Sequence, residues 1–289
     1  MTDVISEPGS ELIDGLDHIC SLPNVFHQIN GLVQDPRCSI SDIGRVVAQD
    51  AGLAARLLRI ANSALYAFPS PIETISRAIT IIGTRQIRDL TLATSIIEAF
   101  CGQGEELLRM EDFWCHNIGC GVTARVIATY RQEPNPERFF VAGLLHDVGR
   151  MVLLQQLPDQ SRALFHAARQ QQRPVWQLEG EFCGCDHSAV GGLLLNRWRL
   201  PDSLVEPVRW HHQPNQAVRY PLETAVIHLA DIISHALELG HSGSDYAPPL
   251  LADAWQLVAL PVSLLSQITA QVERQYEEAV ALFLPGRFR

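Results

Sequence analysis

Along most of the chain apolar residues return every third or fourth position, and strictly alternating runs are nearly absent. That period places one apolar stripe on each of a series of helices, so the pattern predicts an all-α protein. In the first half, helices are expected near residues 12–18, over 25–33 with Pro36 beyond the end, and over a segment carrying Ile43, Val46 and Val47. Ser39 or Ser41 can cap that segment, because a serine oxygen accepts a free first-turn amide. Leu53, Leu57, Leu58 and Ile60 give the next stripe, and two more helices are expected over 72–82 and 86–100. Breaks fall at Leu22-Pro23-Asn24, at Asp50-Ala51-Gly52, at Pro69 and Pro71, and at Gly83 as a C-terminal cap.

In the second half the spacing predicts helices over 110–130, 137–156, 158–172, 175–183, 187–198, 202–211 and 222–239, then short ones to Phe283. Residues 240–249, rich in Gly, Ser and Pro, read as an exposed loop. Gly102 and Gly104 interrupt the apolar pattern, which divides the chain into a loose tail (1–10) and two helical subdomains, 11–104 and 105–289. No internal repeat or low-complexity tract is visible.

Composition narrows the class without changing the fold. The 289 residues, 47% hydrophobic with a mean hydropathy of +0.05, suffice for a globular core without staples. A net charge of −10 and a pI near 5.5 argue against a nucleic-acid binder. Arg45, Arg56, Arg59, Arg85 and Arg88 are the concentrated positive charge of the first hundred residues and read as solvated helix faces. The 7 cysteines, an odd number without framework spacing, suit reduced thiols in the cytoplasm. Cys183-x-Cys185 has no second pair at zinc-site spacing. No signal peptide and no apolar run long enough to span a membrane is present, so a cytoplasmic location is expected. The five tryptophans, Trp114, Trp176, Trp198, Trp210 and Trp255, fall in apolar helical patterns.

The chemistry concentrates in His116, the pair His146-Asp147, His187, the pair His211-His212, and Asp231. Imidazole and carboxylate are the ligands that divalent transition metals such as Fe, Mn, Ni or Zn take in hydrolytic sites, so these residues read as a one- or two-metal centre. No nucleophilic triad is legible around Ser188 or Thr123.

Two long phrases identify a relative. SLPNVFHQI, followed by SISDIGRVVAQDAGLAARLLRIANSALYAFPSPIETISRAITIIGTRQIRDL, resembles the HDOD family, the HD-related output domain of bacterial signalling proteins. The matching elements are Leu22-Pro23, Asp50-Ala51-Gly52-Leu53, Leu58-Arg59-Ile60-Ala61-Asn62-Ser63-Ala64, Ile72, Ala78-Ile79 and Ile82-Gly83, and the likeness spans about residues 20–235. It implies an N-terminal bundle, an HD-like C-terminal bundle, and a signalling module that acts by binding a protein partner or a nucleotide. In the second half, Phe139-Phe140-Val141-Ala142-Gly143-Leu144-Leu145-His146-Asp147-Val148-Gly149-Arg150 looks like the motif of the HD phosphohydrolase superfamily. That likeness implies metal ligation by His116, His146, Asp147 and Asp231.

The wider set resembles the HD-GYP branch, which hydrolyses cyclic dinucleotides. Here it implies further ligands at His187, His211 and His212, and at Asp112, four residues before His116 on the same helix face. The alternative function is thus a metal-dependent phosphodiesterase acting on a cyclic nucleotide or dinucleotide, with Arg150 clamping phosphate. Two departures count against turnover. Gln213-Pro214-Asn215 stands where that branch has Gly-Tyr-Pro, and Arg150 replaces the motif lysine. His228 and His235 share the face of Asp231 but have no counterpart in the family pattern and are not counted as ligands.

Overall fold

The structure, a computed structural model, describes residues 9–14, 24–63, 65–66, 68, 70–100 and 107–284. The expected break at Leu22-Pro23, the boundary at 101–105 and most of the expected tail lie outside these residues, as do Ala64, Cys20 and Cys101. Helices follow one another as α1 (Ser10–Asp14), α2 (Asn24–Gln34), α3 (Ile40–Ala48), α4 (Ala51–Ala61), α5 (Ile75–Ile82), α6 (Thr84–Phe100), α7 (Met110–Tyr130) and α8 (Pro136–Leu145). There follow α9 (Val148–Gln156), α10 (Pro158–Gln171), α11 (Trp176–Cys183), α12 (His187–Arg197), α13 (Asp202–Trp210), α14 (Pro221–Ala236), α15 (Ala252–Val258) and α16 (Leu265–Phe283). Among the described residues there is no strand, and no helix is long and apolar enough to cross a membrane.

One compact unit comprises residues 21–101 with 270–289. Ser39 opens α3 with a capping box: its hydroxyl accepts from the Asp42 amide, and the Asp42 carboxylate accepts from the Ser39 amide. Asp50 does not close α3 as expected. It caps α4, its carboxylate accepting from the Leu53 amide at 2.9 Å, and Gly52 lies inside that helix. The apolar stripes then do what their spacing predicts: Phe26, Ile29, Ile43, Val47, Leu57 and Ile79 are buried in the core of this unit. Asn62 closes the loop beyond α4, donating to the Ile72 carbonyl at 2.8 Å and accepting from the Ile72 amide at 2.7 Å.

The second unit comprises residues 102–269 with the first 20. Its centre is the pair α7 and α8, with α14 packed on α7 and with α12 against both α9 and α13. Glycines set how near these backbones come. A Cβ on Gly143 would stand 2.8 Å from the Gly121 Cα, so α7 and α8 can touch only without side chains at that crossing. α9 and α12 meet in the same way at Gly149 and Gly191.

The sequence pattern predicts one helix over 137–156, but the structure contains two. α8 stops at Leu145 and α9 starts at Val148, with Asp147 at φ −97° and ψ 4°. Apolar residues run through this joint without a change of period, so nothing in the spacing announces it. The loop 240–249 also departs from expectation. Ser242 and Ser244 are buried, with 1% and 7% of their surface exposed, and the segment lines one small cavity with Asp147, Arg150, His212 and Asp231.

Candidate metal centre

Several ligand-type side chains stand at helix ends, which lets short chain segments from separate helices converge. His146 follows the last residue of α8 and Asp147 precedes the first of α9, while His187 opens α12 and His211 follows α13. His116 and Asp231 come from the interiors of α7 and α14. His116, His146, Asp147, His187, His211, His212 and Asp231 are all buried and lie together. Asp112 does not join them: its carboxylate faces Arg109 at 3.6 Å and is partly exposed. Cys183 and Cys185 are free thiols, held protonated because burial pushes their pKa up to about 12 and about 11.

Backbone carbonyls decide which imidazole nitrogen faces inward. A carbonyl can only accept, so Nδ1–H of His146 donates to Gly143 O at 2.7 Å and Nδ1–H of His211 donates to Val208 O at 2.8 Å. In the neutral ring each Nε2 is then a lone pair aimed into the cluster. His146 Nε2 is buried with no hydrogen-bond partner, the kind of orphan that a buried polar atom does not ordinarily remain. His187 is oriented likewise by a carboxylate, Nδ1–H donating to Glu179 Oε2 at 2.6 Å. Its Nε2 stands 3.3 Å from that of His211 and 3.2 Å from that of His212.

These spacings have a metric meaning. Two donors each about 2.1 Å from one ion are about 3.0 Å apart at a right angle and about 3.4 Å apart at a tetrahedral angle. The edges from His187 to His211 and to His212 match that length, and groups of three from His116, His146, Asp147, His211, Asp231 and His235 also lie within 4.8 Å of one another. The donor set of imidazoles and carboxylates fits a borderline divalent ion.

Arg150 is the other cation of the cluster. Its guanidinium donates to Asp147 Oδ2 at 2.6 Å, to Ser242 O at 2.8 Å and to Glu179 Oε1 at 3.4 Å, and one nitrogen lies 3.0 Å from His187 Nδ1. With 5% of its side chain exposed, it is committed to protein partners. The cavity beside it, lined by Asp147, Arg150, Trp176, His212, Asp231 and His235 among others, measures ≈ 10 Å³, about the space of one water-sized sphere. Trp176 covers this side by stacking on His212, ring centroids 4.7 Å apart.

Charge follows from these contacts. Burial alone would push Asp147 up, but Arg150, His146 and His187 hold it well below the usual carboxylate range. Against burial, Asp231 is held well below by the hydrogen bond from His116 and by the neighbouring imidazoles of His146 and His235. Against burial and Arg150, Glu179 and Asp147 raise His187 to about 9. Burial, with the neighbouring His146 and His187, lowers His211 to about 3, and burial lowers His235 to about 4.

A pH dependence of stability follows. Below the ordinary imidazole value of 6.5 the unfolded chain protonates His211 and His235 while the folded protein does not. Stability is therefore lost as pH falls from about 6.5 towards 4. The contribution of His187 is complete below 6.5 and is lost as pH rises through about 9. The metal-free protein is expected to be most stable near pH 6.5, which melting curves in chelator from pH 4.5 to 9 measure directly.

Two residues of the cluster escape the sequence motifs. Glu179 lies on α11, eight positions before His187, and Gly184 in the left-handed region (φ +78°) turns the chain between them, so no helical period links the two. His235 was visible only as a face-sharing neighbour of Asp231. His228, the other such neighbour, is structural: its Nδ1–H donates to His211 O and its Nε2 accepts from the Leu251 amide.

An all-helical bundle that gathers a His-Asp pair with histidines and an aspartate from surrounding helices defines an HD-type protein. The HDOD domain family matches residues 19–214, and the chain belongs to that family. The structure is similar to that of an HDOD domain protein of unknown function from Geobacter sulfurreducens, with a TM-score of 0.74, 25% identity, and 94% of this chain and 95% of the other covered. A Shewanella amazonensis SB2B protein provisionally named a phosphohydrolase shares the fold, with a TM-score of 0.70, 21% identity, and 95% and 97% of the two chains covered. An uncharacterized protein of Treponema pallidum (strain Nichols) is 25% identical over 209 residues, which is 70% of this chain and 39% of the relative's length. The chain thus spans well under half of that curated relative.

Proposed function

We propose that the protein is a signal-transduction output module that holds a divalent transition metal at its His/Asp centre and acts by binding a protein partner or a nucleotide, not by turning over a substrate. The residues that would hold one or two such ions are His116, His146, Asp147, His187, His211, His212 and Asp231. A bound ion would supply Lewis acidity and positive charge.

The observation that carries this reading is Arg150. A phosphate clamp needs free guanidinium donors, whereas this one is shared among Asp147, Glu179 and Ser242 O and is buried in a cavity of ≈ 10 Å³. Pockets for small molecules measure about 300–1,000 Å³. An ion fits this space, and a cyclic dinucleotide does not.

Elemental analysis of protein purified without chelator tests the metal. Stoichiometric Fe, Mn, Ni or Zn is expected in the wild type and is expected to be lost in His146→Ala and His146→Gln, with helicity followed by circular dichroism. Turnover is then assayed with cyclic dinucleotides, cyclic mononucleotides and nucleoside phosphates with metal added. Any product formed by wild type and lost in His146→Gln would overturn the binding-module reading in favour of a phosphodiesterase.

A further inference from the structure

We propose that His235 is a metal ligand, completing with His116 and Asp231 a two-histidine, one-carboxylate triad in place of the carboxylate that Asp112 turns away. This rests on the metal reading above and deepens it by naming a ligand outside the motif residues.

Three imidazoles converge on one oxygen. Asp231 Oδ1 lies 3.1 Å from His116 Nε2 and 3.4 Å from His235 Nε2, and His146 Nε2 stands 3.6 Å from the same atom. The first two distances are the edges expected of donors that share one ion at about 2.1 Å, at angles from a right angle to tetrahedral. The rings of His116 and His235 are 4.7 Å apart at 56°, so both can turn a nitrogen to a common point, and the three donor atoms lie within 4.8 Å of one another. Hydrogen bonding explains this crowd poorly. One carboxylate oxygen is ringed by three imidazole nitrogens, of which that of His116 alone makes a hydrogen bond to it, while those of His235 and His146 stand by at 3.4 and 3.6 Å. A cation between them satisfies all at once.

His235 reaches this point because it lies one helical turn beyond Asp231 on α14, on the face turned to α7. Asp112 stands one turn before His116 on α7, in the first turn of that helix, where Arg109 takes its carboxylate. The exchange replaces an anionic oxygen by a neutral nitrogen. The resulting set favours Fe, Ni, Zn or Co over Mg and Mn, which prefer oxygen.

The test is Co(II) titration of the metal-free protein, followed by visible absorption and by proton NMR of the paramagnetically shifted imidazole N–H signals. His235→Gln and His235→Ala are each expected to bind cobalt at least about 100-fold more weakly than wild type, beyond the 10–100-fold cost of losing an outer hydrogen-bond partner. The variants are expected to melt in chelator within a few degrees of wild type, and one shifted imidazole signal is expected to disappear. Wild-type affinity with an unchanged set of shifted signals in His235→Gln would overturn the assignment while leaving the metal reading intact. Failure of the wild type to bind cobalt, zinc or iron would overturn both.

Discussion

Arg150→Ala is expected to destabilise the metal-free protein by about 3–5 kcal/mol, the range found when one partner of a buried ion pair is removed. The loss arises from what is left behind. Asp147, 3% exposed, keeps its charge without its principal cation, Glu179, 0% exposed, is left with His187 alone, and Ser242 O loses its donor. In a folding unit of this size that corresponds to a fall in Tm of about 6–20 °C. The informative arm is the same measurement with saturating Zn(II). A divalent ion at the cluster supplies to Asp147 the charge that Arg150 supplied, so metal is expected to raise the Tm of Arg150→Ala more than that of wild type. Equal increments in both proteins would show that arginine and metal do not share this carboxylate. Arg150→Lys is expected to fall between, because an ammonium keeps the charge but lacks the planar fork that reaches two carboxylates and a carbonyl together.

The helical architecture was legible because each stripe repeats over several turns, and one misplaced residue hardly shifts a period of 3.6. α7 shows this best: its predicted and observed limits are both 110–130. The joint between α8 and α9 was not legible, because Phe139 to Leu145 and Val148 to Leu154 are apolar almost throughout and a two-residue break leaves the pattern unchanged. The clustering of the histidines could be anticipated from residue type and order, but the angular details could not. Asp112 and His235 make the point, since each is four positions from a motif residue on its own helix. One is taken by an arginine at an exposed helix end, and the other faces the cluster. Spacing assigns a face, and only the neighbours on adjoining elements determine what that face meets. Glu179 lay beyond any such rule, because it reaches His187 across a turn and not along a helix.

Gly149→Ala is expected to destabilise the protein strongly through a single added methyl group. A Cβ at this position would fall well inside contact distance of His187 O and the Gly191 amide nitrogen, and 3.0 Å from Gly191 Cα. All three are backbone atoms of α12, so no rotamer change relieves the overlap, and α9 and α12 must move apart. Overpacking commonly costs about 1–3 kcal/mol, but a backbone-to-backbone clash belongs with the exceptional cases above about 4 kcal/mol. The displacement also has chemical consequences. Asp147 precedes α9 and His187 opens α12, and the two side chains meet at 2.8 Å, so separating the helices pulls apart both members of that contact and the guanidinium of Arg150 with them. Metal content is therefore expected to fall together with Tm. Gly180→Ala supplies the control. It is an exposed position of α11 with nothing within 4 Å of an added Cβ, and the same methyl is expected there to stabilise the protein by about 0.4–1 kcal/mol by restricting the unfolded chain. If Gly149→Ala folds with wild-type Tm and full metal content, the close approach of α9 and α12 cannot be what aligns Asp147 with His187.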